Sequence, residues 1–544
     1  VRTNVLYYGD NLHVLRERIP NDSVDLIYLD PPFSSARDYF VIFKDRTGKA
    51  SEAQSEAFGD TWVWGEEAEA AYRELCVGST HHRVNPDLAV TIQAFRTFLR
   101  ESPMMAYLVS MAIRLHEMKR VLKPNGSLYL HCDSTASHYL KVLLDTIFTP
   151  QWFRNEIIWK RTSAHNDTAQ GTKRYGRNHD VILFYAGPGA TWNPQYMPYD
   201  EEYVRSFYKH KDPDGRLYRL SDMTGPGGAS KGNPYYEVMG VSRYWRFSRE
   251  RMEQLISAGR VVQTKPGSVP QQKRYLDEMP GVAVQAVWDD IKPIGAQAAE
   301  RLGYPTQKPL ALLERIIRCS SNPGDVVMDT YCGCGTTVMA AHGLARQWVG
   351  IDITAVATCI IKARLEQTFG DLAGKVEVIG LPMDLEGART LFEADSHQFQ
   401  IWACTLIGAY PNQKKGADKG IDGWMPIADM NDHPHRCVVQ VKGGKPTLSQ
   451  IRDFCHVVTR EKAAIGFFVT LGDITPAMKT EAVAEGFWDA GRGQTYPKVQ
   501  LLSVAELMTG LARPKMPTQE KRSILGYMAN RQENKGLQPT LELD

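Results

Sequence analysis

The apolar positions along the chain alternate between two rhythms. Short continuous apolar runs suit strands buried on both faces, and longer segments of helical period lie between them. Val5–Tyr8 is such a run and ends in Gly9-Asp10, with a helix expected from Asn11 to about Arg18. Five of the six residues from Val24 to Leu29 are apolar, and the run ends abruptly in Asp30-Pro31-Pro32-Phe33. An amphipathic helix is expected over Met104–Val121, with Leu115, Met118 and Val121 on one face, then a strand over Ser127–Asp133 and a helix over Ser137–Phe148. Asn155–Arg161 and His179–Tyr185 read as two more strands, joined by a loop carrying Lys173, Arg174 and Arg177. Strand and helix in alternation predict a doubly wound, mostly parallel α/β sheet.

The rhythm is interrupted twice. Residues 40–105 are polar and aromatic, with Phe58-Gly59-Asp60-Thr61-Trp62 as a local anchor, and read as an insertion over the active face. From about 195 to 300 the chain is rich in Gly, Pro, aromatic and basic residues, among them Arg216, Tyr218, Arg219, Lys231, Tyr235, Tyr236, Arg243, Tyr244, Trp245, Arg246 and Phe247. Basic and aromatic residues interleaved in this way suit phosphate contacts with stacking or base-edge contacts, and equally the small core of a surface subdomain.

The rhythm then resumes. Tyr304-Pro305-Thr306-Gln307-Lys308-Pro309 opens a helix to Cys319. Val326–Asp329 runs into the turn Thr330-Tyr331-Cys332-Gly333-Cys334-Gly335-Thr336-Thr337, a helix follows, and Trp348–Asp352 is a strand ending in an acid. Strand, glycine-rich turn, helix, strand and terminal acid suit an adenosine-containing cofactor, with Asp352 accepting ribose hydroxyls. The third glycine of G-x-G-x-x-G and a Walker lysine are both missing, so a cofactor without pyrophosphate fits better.

Asp30 carries the candidate chemistry. Prolines at 31 and 32 leave a carboxylate, a free carbonyl and an aromatic ring where ligands sit in open α/β sheets. Asp30 and the Pro31 carbonyl can each accept one hydrogen of a nucleobase amine, freeing its lone pair, while Phe33 stacks on the base. A capped turn is the plainer alternative, as an N-cap is for Asp10.

Composition narrows the class. The chain has 544 residues, 43% hydrophobic and 23% charged, with a formal net charge of +2, so several soluble domains are expected. No apolar run is long enough to span a bilayer and no signal peptide is apparent at the start, so no membrane partner is expected. Nine scattered cysteines without metal-ligand spacing suit a reducing cytoplasm.

With both motifs placed, the chain resembles the DNA amino-methyltransferases that use S-adenosylmethionine (SAM). Asp30-Pro31-Pro32-Phe33 is similar to their catalytic motif, and Asp329–Thr337 to their D-P-F-x-G-x-G-T-T cofactor motif, with Thr330 and Tyr331 in place of Pro and Phe. The catalytic motif comes first, as in the circularly permuted β group, whose intervening segment recognises the target. The resemblance covers residues 1 to about 385. It implies a SAM-dependent, Rossmann-like fold with an inserted target-recognition region. It implies catalysis by Asp30, Pro31, Pro32 and Phe33, and cofactor contacts from Asp10, Lys308, Asp329, Tyr331, Gly333, Gly335, Thr336 and Asp352. An Asp at the head of the motif implies adenine, where cytosine enzymes more often carry Ser. The partner is double-stranded DNA with the target base flipped out; the oligomeric state is left open.

After Pro382 a helix bearing Phe392, Phe399, Trp402 and Leu406 precedes Lys414–Gly423, a strand over Arg436–Gly444, a helix from Ser449 and a strand over Ala464–Thr470. Gly-Ile-Asp followed by Gln-x-Lys resembles the Mrr-like branch of the PD-(D/E)xK nucleases, a second α/β, restriction-endonuclease-like domain. The resemblance implies Mg2+ on Asp422 and Gln440, with Lys442 on the attacking water. Gln400 stands where relatives carry a Glu, with Glu393 as a substitute. His433-Pro434-His435 reads as a solvated loop. The alternative is a non-cleaving DNA-binding module. The expected divisions are a catalytic half over 1–194, target recognition over 195–300, a cofactor half over 301–385, the nuclease-like domain over 386–511 and a polar tail over 512–544. The whole reads as a restriction-modification enzyme.

Overall fold

The computed structural model describes residues 1–517, apart from 33–37, 45–49, 60–61, 79–84, 163–172, 174, 296–297, 299, 303–305, 373–374, 383, 412–419 and 432, and apart from the side chains of 38–44, 50–59, 355–356, 410 and 434. Phe33, most of the Phe58–Thr61 anchor, Arg174, Tyr304, Pro305, the Lys414–Lys419 loop and most of the polar tail therefore lie outside the described residues.

A nine-stranded sheet forms the frame. Its strands in chain order are β1 (Val5–Tyr8), β2 (Val24–Leu29), β3 (Leu122–Cys132), β4 (Phe153–Lys160), β5 (His179–Ala186), β6 (Val287–Trp288), β7 (Val326–Asp329), β8 (Gln347–Asp352) and β9 (Glu377–Ile379). The spatial order is β6-β4-β5-β3-β2-β7-β8-β1-β9. All run parallel except β5, which is antiparallel to both β3 and β4. The first strand of the chain lies between two of the last, with Tyr8 opposite Asp352 and Tyr7 opposite Ile379. The central strands are buried along most of their length, which is why they read as continuous apolar runs.

Helices cover the sheet: α1 (Asn11–Arg18), α2 (Pro103–Val121), α3 (Leu310–Ser320), α4 (Thr336–Gly343) and α5 (Ala355–Thr368). The expected amphipathic stripe on α2 is only part of its buried surface. Met105–Val109 and Met111–Ile113 are buried as well, because helices Glu66–Val77 and Pro86–Leu99 cover the side away from the sheet. Its one buried acid, Glu117, is paired with Arg16 at 3.3 Å and Arg120 at 2.7 Å. Trp62 packs edge-on against Tyr107 of α2, with ring centroids 5.2 Å apart.

The C-terminal part has its own five-stranded sheet: β10 (Tyr410–Pro411), β11 (Gly423–Ala428), β12 (Pro434–Lys442), β13 (Ile465–Thr470) and β14 (Val499–Ser503), in that spatial order. The single helix expected over Phe392–Leu406 is two, Leu385–Ala394 and α6 (Ser396–Leu406). Asp395 breaks it, accepting from the amides of His397 (2.9 Å) and Gln398 (3.0 Å) as the N-cap of α6. Asp422 immediately precedes β11, and its amide donates to the Val439 carbonyl at 2.8 Å.

Residues Pro194–Gln285 form a second compact unit. It holds a four-stranded sheet, the hairpin Tyr235–Val238/Val241–Tyr244, and a core of Met223, Tyr236, Val238, Trp245, Met252, Leu255 and Val261. Among the described residues no helix is long and apolar enough to cross a membrane.

Candidate active site

Four adjacent strands, β2, β7, β8 and β1, each end in or just before an acid: Asp30, Asp329, Asp352 and Asp10. All four line one cavity of about 1090 Å³, together with Pro32, Lys308, Tyr331, Gly333 and Thr336. That volume of about 1090 Å³ is slightly above the ~300–1,000 Å³ usual for a single ligand. Nine of the residues singled out from sequence therefore meet in one place. Pro31, which follows Asp30 in the chain, is buried, and Gly335, within the turn, packs against Ile361.

Each acid is compensated differently. Asp30 forms an ion pair through Oδ2 with Lys308 Nζ, both side chains nearly buried (13% and 11% exposed). Lys308 thus sits at the β2 end of the row. The second oxygen, Asp30 Oδ1, is buried and has no hydrogen-bond partner among the described residues. Leaving a buried acceptor unpaired costs about 1–3 kcal/mol, so it marks a place where a donor is due.

Asp329 is fully enclosed; its Oδ2 accepts from Thr337 Oγ1 at 2.5 Å and its Oδ1 from the Tyr331 amide at 2.9 Å. Burial pushes its carboxyl up to about 7, outweighing those hydrogen bonds, and the charges of Asp30 and Asp352 add to the rise. Asp352 accepts through Oδ2 from the Gly333 amide (2.8 Å) and through Oδ1 from the Thr354 amide and hydroxyl (both 2.9 Å). Burial raises its carboxyl too.

The turn needs its glycines. Gly333 and Gly335 have φ of 52° and 82°, in the left-handed region, and a Cβ on Gly335 would lie 2.7 Å from Ile361 Cγ1. Thr336 follows in the first turn of α4, buried. At the far end of the row Asp10 is the N-cap of α1, accepting from the Leu12 amide (2.9 Å) and the His13 amide (3.2 Å). It also accepts from Arg114 at 2.6 Å. Asn11 links the same arginine to the turn, donating to the Thr330 carbonyl at 2.9 Å.

Sequence reasoning passed over a buried chain beneath Asp30. Tyr28 Oη lies 3.0 Å from His131 Nδ1, and His131 Nε2 lies 3.2 Å from Asp180 Oδ2. Arg161 sits 3.4 Å from the other Asp180 oxygen. Burial works to raise the Asp180 carboxyl, yet the His131 hydrogen bond and the charges of His131, Lys308 and Arg161 hold it below the usual range. The signal for these residues was alternation: Tyr28 lies two residues before Asp30, on the same side of the strand.

Asp422, Gln440 and Lys442 do not line this cavity. Asp422 and Gln440 are buried, and Lys442 is half-buried. Asp422 Oδ2 accepts from the Val441 amide at 2.7 Å, and Gln440 Oε1 has no hydrogen-bond partner among the described residues. Glu393 is exposed, and the described residues hold no group of three or more His, Cys, Asp and Glu able to hold a metal. One carboxylate already engaged by backbone and one neutral amide do not fit Mg2+, which favours an octahedron with charged oxygens. His433 lies 3.1 Å from Asp429 on the surface.

In the hairpin of the second unit, Tyr236 and Trp245 are core residues, whereas Lys231, Tyr235, Arg243 and Tyr244 are exposed. Arg216 is already engaged, with Asp277 and Glu278 both at 2.8 Å.

Comparison with known proteins agrees with this geometry. Residues 396–509 match the family described as NACHT-associated inactive Restriction Endonuclease 1, so the expected Mg2+-dependent nuclease finds no support in either the family or the donor set. The chain is 31% identical over 263 residues to the type II methyltransferase M.EcaI of Enterobacter cloacae, covering 48% of this chain and 57% of that protein. It is 27% identical over 392 residues to the Mod subunit of the type III restriction-modification enzyme StyLTI of Salmonella typhimurium, covering 68% of this chain and 54% of that one. It thus spans a little over half the length of these two relatives. With the DNA adenine methyltransferase YhdJ of Escherichia coli K12 it shares 41% identity over 352 residues, 64% of this chain and 78% of that protein. Residues 24–362, which hold all of the Asp30 end and the glycine turn, match the N6_N4_Mtase family of DNA methylases, and the chain belongs to that family.

Proposed function

We propose that the chain transfers the methyl group of SAM to the exocyclic amine of adenine in double-stranded DNA. The observation that carries this reading is the unpaired, buried Oδ1 of Asp30, a residue of the cavity wall that Pro31 follows in the chain. Lys308 occupies Oδ2, so Oδ1 is left to accept one amine hydrogen while the Pro31 carbonyl accepts the other. Two acceptors on one nitrogen draw it out of conjugation and aim its lone pair, a positioning effect rather than proton abstraction. Phe33, two residues beyond Pro31 in the sequence, is the candidate stacking partner.

The residues present suit SAM. The row of four acids suits a cationic ligand, the glycine turn admits close approach of a ligand, and the terminal acid Asp352 faces the ribose in this assignment. SAM supplies an electrophilic methyl group on a sulfonium. Asp10, Asp329, Tyr331, Gly333 and Thr336 bind and orient it, and the Trp62–Glu74 segment helps exclude water. The volume leaves room for a base flipped into the same cavity. The insertion of β1 between β8 and β9 supports the permuted order of the motifs. Residues Pro194–Gln285 are proposed to recognise the target, with Lys231, Tyr235, Arg243 and Tyr244 toward DNA. The preference for adenine rests on Asp at the head of the motif and on the likeness to YhdJ. The C-terminal domain is read as non-cleaving.

The test is nucleoside analysis of unmethylated duplex DNA incubated with the full chain and SAM. N6-methyladenine is expected, and Asp30→Ala should abolish it while leaving SAM affinity unchanged. Methylation of cytosine alone would refute the base assignment, and loss of SAM binding in Asp30→Ala would refute the roles. The same DNA with Mg2+ should remain uncut; cleavage that depends on Lys442 would restore the nuclease reading.

A further inference from the structure

The wall of the cavity is not built from the methylase segment alone. His397, Gln398 and Ile401, all on α6 of the nuclease-like domain, line it as well. They lie beyond residue 362, where the DNA methylase match stops, and at the start of the match to the inactive nuclease family.

The placement of α6 is held by more than proximity. Tyr8, the last residue of β1, donates its hydroxyl to Gln398 Oε1 at 2.9 Å. Tyr8 also packs against the C-terminal core, which counts Ile360 of α5 among its buried members beside Phe399, Ile401 and Trp402 of α6. Burial, with the charge of Asp395, keeps the Tyr8 hydroxyl protonated and therefore a donor. One apolar core thus runs from the methylase sheet edge into the nuclease-like sheet.

The sheet order says which end of the cavity α6 covers. Tyr8 pairs with Asp352 across β1 and β8, and the Gly9 amide donates to the Asp352 carbonyl at 3.0 Å. Asp30 follows β2, three strand spacings from β1, which is about 14 Å at ~4.8 Å per strand. Helix α6 is therefore at the cofactor end and away from the reacting amine.

We propose that α6 of the nuclease-like domain is part of the cofactor site, with His397, Gln398 and Ile401 closing the cavity over the adenosine moiety of SAM. This rests on the reading of the cavity as the SAM site. An adenosine offers a flat apolar face and polar edges. Ile401 supplies an apolar wall, and Gln398, whose carbonyl is held by Tyr8, keeps its amide hydrogens for a ring nitrogen or a ribose hydroxyl. A domain that has lost the residues for cleavage would on this account be retained because the methylase cannot hold its cofactor fully without it. Reciprocity follows: the cofactor must stabilise α6 by as much as α6 stabilises the bound cofactor.

The experiment uses the full chain. Calorimetry compares wild type with the double variant His397→Ala/Gln398→Ala, for both SAM and S-adenosylhomocysteine. Because α6 is placed at the adenosine, both ligands should weaken about tenfold and in equal proportion, with the melting temperature of the ligand-free protein lowered only by the few degrees that loss of the Tyr8–Gln398 hydrogen bond explains. Affinities within twofold of wild type overturn the proposal, as does a loss confined to SAM, which would place α6 at the methyl group. Hydrogen exchange on the unsubstituted chain gives a second measurement independent of folding of the variant. S-adenosylhomocysteine should slow exchange in residues 396–406, and an unchanged rate there with the ligand bound overturns the proposal. If wild type binds neither ligand, the SAM reading itself falls and this one with it.

Discussion

Asp329 lies at the centre of the row of acids, and its environment makes a quantitative prediction. It is enclosed at the end of β7, with burial raising its carboxyl to about 7 from an ordinary 3.8. Between those two values the folded chain keeps a proton that the unfolded chain has released. Stability then falls as pH rises from about 4 to about 7 and is flat above, since the slope follows the difference in bound protons. At about 1.4 kcal/mol per pH unit, the gap sets a ceiling of about 4 kcal/mol on the loss. Asp329→Asn removes the titration and keeps the hydrogen bonds in kind. Its carbonyl can accept from the Tyr331 amide, and its NH2 can donate to Thr337 Oγ1 in place of the present bond.

The assay is urea unfolding of wild type and Asp329→Asn, without ligand, at intervals from pH 5 to pH 8.5. Other groups titrate in both proteins, so the informative quantity is the difference in unfolding free energy between them. It should move in favour of the variant as pH rises, by up to about 1.4 kcal/mol per unit below pH 7, and then level off. A difference that stays flat from pH 5 to 7 would refute the argument, because it would mean that Asp329 is ionised in the fold across that range.

Three further outcomes follow from the geometry. Gly335→Ala places a Cβ at 2.7 Å from Ile361 Cγ1 on a residue with φ of 82°; about 2–4 kcal/mol of stability should be lost, read as a lower denaturation midpoint. His131→Phe deprives the buried Asp180 of its imidazole partner and should cost about 3–5 kcal/mol, while Tyr28→Phe, which removes only one hydroxyl, should cost about 1 kcal/mol; equal effects in denaturant would refute the chain of dependence. Tyr235→Ala with Arg243→Ala should weaken binding to duplex DNA and reduce the dependence of affinity on salt by about one phosphate contact, with SAM affinity unchanged in calorimetry.

The frame was legible because buried parallel strands leave an unmixed signature: Val24–Leu29 and Val326–Asp329 have no polar face to confuse them. The row of acids was legible for the same reason, each sitting where an apolar run stops. What pairs with what was not. Lys308 meets Asp30 across 278 residues, and Arg114 meets Asp10 across 104, distances over which no local pattern carries information. In the hairpin, composition marked Tyr235, Tyr236, Arg243, Tyr244 and Trp245 alike, but a strand exposes alternate residues, so Tyr236 is in the core and Tyr235 in solvent. The break at Asp395 was readable as an N-cap and was hidden by the apolar spacing on either side of it. The nuclease motif matched in residue type, but Asp422 stands before its strand and spends an oxygen on backbone, which residue type alone does not reveal.

The four compensations along the row bear on what the cavity accepts. Four carboxylates at neighbouring strand ends, about 5 Å apart, would repel one another strongly if all were bare. Asp10 is offset by Arg114 and the start of α1, Asp30 by Lys308, Asp352 by two amides and a hydroxyl, and Asp329 by holding a proton up to about pH 7. Only two of these four are neutralised by a fixed positive charge. The middle of the row, Asp329 and Asp352, is held by hydrogen bonds and burial alone, and is where a cation gains most. A ligand with a phosphate there would meet acids with no lysine between, whereas SAM, whose sulfonium and ammonium outweigh its one carboxylate, brings net positive charge to them. Burial raises Asp329 and the neighbouring acids add to the rise, so a cation bound beside it favours the ionised form, and SAM binding near neutral pH should expel the Asp329 proton. Calorimetry in buffers of different ionisation enthalpy measures that release directly, and it should vanish in Asp329→Asn.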